Sequence, residues 1–489
     1  MKSSERLFSL DLLRGLDMFL LTVVGPVFWA VHRVHPFPDA VTAQFRHPWG
    51  GFTLWDIIMP LFIFMCGAAV PYALSKRMED GKPTGAYWRH VLLRVALLWF
   101  CGLLVQGDLA SLDVARIYPY SNTLQAIAAG YLVAAVVFAI PVRAVRILAP
   151  LVLATAYGGL LHFLGDYTTT GNFAFAVEKK VLTALLPAGS QIAQGIAGLT
   201  AETVAGTSKF HYTWWLTSLM FGAMTLCGAQ CAEILRGAWE PRRKALVLFL
   251  LGAVLLGAGW ALTPWIPPIK HVFTVSFTCQ AMGWCTLALA LLYAVTDLAK
   301  FRAGMGLFTL FGQCALTAYM VSHFFHGALR KAAEALVQGV PHLLGADAAG
   351  LAPEQAQHLK DVQGLVVAVA AAAVLTFALW VRRRLAAAPA PGAEDEAEPR
   401  RTAPRPPAPA PGIVEEAKKA EDGPVGPKMA SKVRLQLHRK PGEQEPPVPP
   451  TVAPAVPNAG IIRLKPPNGQ KPVPYQPEPP TVELKARRD

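Results

Sequence analysis

Apolar runs of about 20 residues recur along the first 384 positions, each long enough to cross the hydrocarbon core of a bilayer as a helix. About ten of them lie near residues 9–31, 52–74, 90–106, 122–141, 147–164, 213–234, 245–264, 274–296, 305–327 and 364–382. A backbone inside lipid must satisfy its own hydrogen bonds, so such repetition leaves room for little but a helix bundle. Composition agrees. Of 489 residues, 53% are hydrophobic and 16% charged, against roughly 25% charged in soluble domains. The mean hydropathy is +0.36. The fold expected is all-α, a polytopic membrane domain over residues 1–384.

The connections set an orientation. Every second one is basic: SKRMEDGKPTGAYWRH, then Arg143 and Arg146, RGAWEPRRK, Lys300 with Arg302, and finally Arg382, Arg383 and Arg384. Lys and Arg accumulate in cytoplasmic loops, so these loops and both termini are expected in the cytoplasm, with the chain multi-pass in the cell inner membrane. Lys179, Lys180 and Lys209 oppose the rule, but in a long loop, where it is weak. The net charge of +13 follows from these loops and does not call for nucleic acid. The opening stretch is interrupted by charges and lacks a small-residue cleavage site, so it reads as an uncleaved first helix.

Three outer segments, residues 32–51, 165–212 and 328–363, are long enough to roof a cavity; helices are expected at 175–186, 328–337 and 353–362. From about residue 385 a Pro-rich, charged, aromatic-poor stretch runs to Asp489. It cannot bury enough apolar surface to fold, so a disordered cytoplasmic tail is expected, available to bind other proteins or simply solvated. All 7 cysteines fall in apolar segments and read as small buried hydrophobes. Cys227 and Cys231 are one turn apart but have no His or acidic partner at ligand spacing, so no metal is expected. Glycine-rich phosphate loops are absent from the sequence.

Chemistry concentrates in Phe45 to Met65, FRHPWGGFTLWDIIMPLFIFM. His47 and Trp49 occupy a short polar approach to an apolar helix that carries Asp56. A carboxylate at a helix centre costs roughly 2.5 to 3.5 kcal/mol on insertion scales. Asp56 has two compatible roles: closing a capping box with Thr53, or orienting His47. His47 itself is either a solvated loop histidine or a general base or nucleophile near neutral pH. Asp11, Arg14 and Asp17 share a face of the first helix; Arg14 either neutralises its neighbours or contacts a phosphate, and Arg94 either snorkels or binds an anionic cofactor. Asp108 precedes the fourth segment, which Asn122, Thr123 and Gln125 open. Lys270 sits in WIPPIKHVFTVSF, and Gln313, Tyr319 and His323 lie on the ninth segment. His47, Asp56, Asn122, Lys270 and His323 all come from the outer half by topology.

These blocks resemble the heparan-alpha-glucosaminide N-acetyltransferase family, whose bacterial members include membrane acyltransferases of unknown function. The resemblance is carried by RLFSLDLLRGLDMFL, His47 to Gly67, NTLQAIA at 122–128, PIKHVFTVSFTCQAMGW at 268–284 with Asp297 after it, and GQCALTAYMVSH at 312–323. It covers roughly residues 5–384. It implies a polytopic enzyme that takes acetyl-CoA from the cytosolic side and acetylates a terminal amino sugar on the other, with His47 as the catalytic residue. The chain departs from the family pattern in a His-to-Trp spacing one residue shorter, in Ile269 where Asn precedes the lysine, and in Cys314 in place of Asn. These departures bear on the acceptor.

The expectation is therefore a membrane acyltransferase using acetyl-CoA and an amino sugar or glycan acceptor of the cell envelope. His47 and Asp56 would be catalytic. Trp49, Asn122, Gln125, Lys270 and His323 would bind substrate or stabilise an oxyanion, and Arg14 and Arg94 would hold the cofactor. Direct transfer and an acetyl-histidine intermediate are both open. Expected partners are the lipid bilayer and the acceptor, with a homodimer open. Competing readings are a transporter or flippase of a polar envelope precursor, whose usual internal repeat is not evident here, and a catalytically inactive scaffold.

Overall fold

The computed structural model describes residues 7–113, 116–186, 212–338 and 352–387. The Pro-rich tail expected to be disordered, and Lys209, lie outside them.

The described chain is mostly helical, and its one sheet is a two-stranded hairpin, Met78–Glu79 with Lys82–Pro83. Among the described residues, eight helices are long and apolar enough to cross a membrane. They are α1 (Phe8–Val34), α2 (Leu54–Arg77), α3 (Gly85–Val105), α5 (Arg143–Leu164), α7 (Ser218–Arg236), α8 (Pro241–Leu262), α9 (Val275–Leu298) and α13 (from Pro353). The shorter α4 (Thr123–Ala139) lies between α3 and α5. α6 (Phe173–Leu185) is the helix expected in the second outer segment.

The ninth apolar segment differs from expectation. It is broken into α10 (Gly306–Gln313) and α11 (Ala315–His323), with Cys314 outside helical geometry at φ −111° and ψ 23°. α12 (His326–Gln338) follows. The last outer helix and the last span also differ, because they fuse into a single α13, Pro353–Ala387, 35 residues long. Gly364 inside it fails to end the helix, since a lone glycine costs only about 1 kcal/mol there.

Packing sorts the helices. α2, α7 and α9 are mostly buried, whereas α3, α5, α8 and α13 turn most of their apolar surface outward. Exposed Leu92, Leu93 and Phe100 on α3 and Phe249, Leu250 and Val254 on α8 would be untenable in water and suit lipid. The molecule is thus a multi-pass membrane protein. Close approach of α1 and α10 depends on facing glycines: a Cβ on Gly15 would overlap the Phe308 carbonyl, and one on Gly312 the Asp11 carbonyl. Small residues let membrane helices meet backbone to backbone, and this contact sets Arg14 beside Gln313. The start of α1 is capped from elsewhere in the chain, with Phe8 and Ser9 N–H donating to the Asp297 carboxylate at 3.2 and 3.0 Å.

Candidate functional site

The loop before α2 is clamped by aromatic rings and backbone bonds. Phe45 stacks on Phe28 at 3.6 Å and lies 5.0 Å from Trp55. The Gln44 carbonyl accepts Trp55 N–H at 2.9 Å. Gly51, in the left-handed region at φ +108°, donates its N–H to the Pro268 carbonyl at 2.8 Å, tying this loop to the one that carries Lys270.

α2 opens with a 3-10 turn whose N-cap is Thr53, and Thr53 and Asp56 form the reciprocal capping box. One carboxylate oxygen of Asp56 does the capping: Oδ2 accepts the Thr53 N–H at 3.0 Å. The other oxygen, Oδ1, lies 2.6 Å from His47 Nδ1 and 3.3 Å from Lys270 Nζ. The two roles open for Asp56 are therefore filled at once, by different atoms. A carboxylate at Nδ1 accepts that ring N–H, which places the imidazole lone pair on Nε2.

Lys270 comes from a loop 223 residues away. Its Nζ lies 3.1 Å from His47 Nδ1 and 3.4 Å from Nε2, alongside the ring. Side-chain hydroxyls hold this loop's backbone: Thr274 Oγ1 donates to the Pro267 carbonyl at 2.8 Å and accepts Ile269 N–H at 2.9 Å, while Tyr157 hydroxyl donates to the Val272 carbonyl. Burial pushes the Lys270 ammonium down from 10.5 to about 8, against the pull of Asp56. Burial also holds His47 below its ordinary 6.5, an effect the Asp56 hydrogen bond opposes and Lys270 reinforces. At neutral pH the cluster is an ionised Asp–Lys pair around a neutral imidazole. The His47 side chain remains 34% exposed, so the base is accessible while its two partners are buried.

His47 and Lys270 line a cavity of about 240 Å³ that also includes Asn122, Tyr212, Trp214, Tyr319 and His323 in its walls, with Asp56 behind them. A second cavity of about 520 Å³ contains Arg14, His90, Arg94 and Gln313. The two share Phe62, Thr123 and Tyr319. Four stretches of chain line both in order. Along α1 the lining runs Arg14, Met18, then Leu21; along α2 it runs Cys66, Phe62, then Trp55; along α3 Arg94, Leu98, then Gln106; along α10 and α11 Gln313, Tyr319, then His323. At 1.5 Å per residue the steps on α3 alone span about 18 Å. The cavities adjoin end to end.

In the larger cavity, Arg14 pairs with Asp11 at 3.5 Å and Arg94 rests over the Tyr131 ring at 4.5 Å, with Cys66 Sγ at 3.6 Å. His90 Nε2 is buried there without a hydrogen-bond partner. Two guanidinium groups and an unsatisfied imidazole nitrogen in an otherwise apolar cavity suit an anionic or strongly polar ligand.

The other expected residues divide. His323 lines the small cavity, stacked on Tyr319 at 4.2 Å. Asn122 also lines it, but its groups cap α4: Oδ1 accepts the N–H of Leu124 and Gln125, and Nδ2 donates to the Gly102 carbonyl at 2.8 Å. Gln125 lies outside both linings and bonds Ser121 N–H and the Pro119 carbonyl, each at 2.8 Å. Trp49 donates its indole N–H to the Tyr167 carbonyl at 3.0 Å and stacks on His271 at 5.1 Å, so it braces the approach to His47. Sequence reasoning missed Tyr212, Trp214 and His90. The first two belong to the aromatic run YTWW before α7. Trp214 and its neighbour Trp215 are held by buried Glu178 on α6, which accepts their N–H at 2.9 and 3.1 Å and whose pKa burial raises to about 7.

Compared with known proteins, residues 6–183 match the family described as domain of unknown function DUF5009. No curated protein matches the chain. The matched region carries Arg14, His47, Asp56, Arg94, Asn122 and Gln125, and stops short of Lys270 and His323. To that extent the chain is similar to DUF5009 proteins.

Proposed function

We propose that this chain is a membrane acyltransferase that moves an acetyl group from acetyl-CoA to an amine or hydroxyl of a sugar acceptor across the bilayer. The observation that carries the reading is the pair of adjoining cavities, one ending on Arg14 and Arg94, the other on the His47–Asp56–Lys270 cluster. A long, thin donor with an anionic head and a reactive far end matches that layout. On the orientation favoured by the basic loops, the arginine end faces the cytoplasm and the His47 end faces outward.

His47 Nε2 takes the proton of the acceptor amine as its nitrogen attacks the thioester carbonyl. Asp56 holds the tautomer and stabilises the imidazolium that forms. Lys270, a cation tethered beside the ring, faces the carbonyl oxygen as negative charge develops there. The C–N bond forms, the C–S bond breaks, and the proton held by His47 leaves with the thiolate. Arg14 and Arg94 bind the donor's anionic groups, with His90 as a further polar contact.

The test uses membranes containing the chain, labelled acetyl-CoA and a panel of amino sugars and envelope glycans. Transfer to an amino sugar that a folded His47→Ala variant loses is the expected result. Retained transfer by that variant removes His47 from the mechanism, and export of an unmodified glycan without acetyl-CoA dependence replaces the enzyme with a transporter.

A further inference from the structure

A third cavity, about 480 Å³, opens beside the His47 chamber and shares Leu21 and His323 with it. It lies between α1, the α11–α12 turn and α13. Its floor is apolar, built from Pro26, Trp29 and the alanine-rich face of α13. Its rim is basic: Arg33, His326, Arg330 and Lys360 line it, and no carboxylate does. Arg330 is already engaged by Glu334 at 2.8 Å. Arg33 and Lys360 are exposed and have no carboxylate partner among the described residues. The Arg33 guanidinium reaches across to α13, where it lies 3.9 Å from a Cβ placed on Gly364. On the proposed orientation this end faces away from the cytoplasm, where Lys and Arg are normally depleted. A basic cluster in that position calls for an anionic occupant.

We propose that this cavity binds the phosphate-bearing head of a membrane lipid, with its hydrocarbon chain along α1 and α13, and that this lipid is the anchor of the acceptor sugar. The inference rests on the acyltransferase reading for its last clause. A sugar attached to a phosphate held by Arg33 and Lys360 passes His323 and reaches His47. The acceptor is then delivered from the bilayer rather than from bulk water.

The test is retention of farnesyl phosphate by the full chain in neutral detergent, read by native mass spectrometry without acetyl-CoA. Farnesyl phosphate is expected to be retained, with farnesol and inorganic phosphate lost. An Arg33→Gln/Lys360→Gln double variant weakens retention about thirtyfold, from two lost headgroup charges, while an Arg33→Lys/Lys360→Arg variant restores it. His47→Ala binds as the unaltered chain does. Equal retention of farnesol, undiminished retention by the Gln double variant, or equal competition by phosphatidylglycerol overturns the proposal. Because no acetyl donor is present, failure here leaves soluble acceptors open to His47, and absence of acetyl transfer leaves this site standing.

Discussion

The two adjoining cavities differ in how their charged groups are held; each also has buried polar atoms without a hydrogen-bond partner, Trp214 Nε1 and Ser121 Oγ in the small one and His90 Nε2 in the large one. In the small one, Asp56 uses both oxygens, one on the Thr53 N–H and one shared by His47 and Lys270. Asn122 beside them is fully engaged in capping α4. In the large one, His90 Nε2 has no partner and Arg94 rests on a ring and a sulfur rather than a carboxylate. A chamber that fixes its groups beforehand suits bond making, where misplacement by 1 Å can cost a hundredfold. A chamber in which Arg94 has a ring and a sulfur instead of a carboxylate suits holding an anionic ligand.

Substitutions at the two ends should therefore fail differently. The largest effect is expected for His47→Ala, which lowers kcat about 10³-fold or more with the donor still bound, as single-turnover assays would read. Asp56→Asn keeps a capping acceptor but loses the tautomer and the Lys270 tether, and kcat should fall about 10²-fold. Arg94→Gln should raise KM for acetyl-CoA about tenfold with kcat little changed, the signature of lost uniform binding. If Arg94→Gln instead lowers kcat and leaves KM alone, the division of labour is wrong.

The pH profile of kcat/KM sharpens the small-chamber side. His47 must be neutral to act, and its pKa is held below 6.5, so the acid limb should fall below that value. Lys270 must stay protonated, and burial brings it to about 8, so rate should decline as pH rises through that region. Lys270→Met should remove the alkaline limb. The smallest effect is structural: Asn122→Ala should cost about 1 kcal/mol of stability through the lost α4 cap, seen as a lower melting temperature with the pH limbs unmoved.

Much of this was legible in the chain. The apolar segments follow from runs of about 20 residues, and the Thr53 cap and the nearness of His47 to Asp56 from spacings of three and nine residues. Lys270 meets them from 223 residues away; topology put it on the same side as His47, but packing between loops leaves no local periodicity that would show the contact. The break at Cys314 was hidden for another reason: GQCALTAY reads as continuous helix, with no proline to mark the interruption. Asn122 and Gln125 looked like ligands because they are polar near a membrane segment. The cap signature of Asn at a helix start accounts for Asn122 equally well, and a sequence alone does not say which partners are within reach.

In the proposed enzyme one passage joins the arginine end to His47 across the bilayer. Proteoliposomes with acetyl-CoA on the arginine face only, and an amino-sugar acceptor on the His47 face only, test it most directly. Acetylated sugar is expected on the acceptor side, lost in His47→Ala. Product that forms only when both substrates share one face would contradict it.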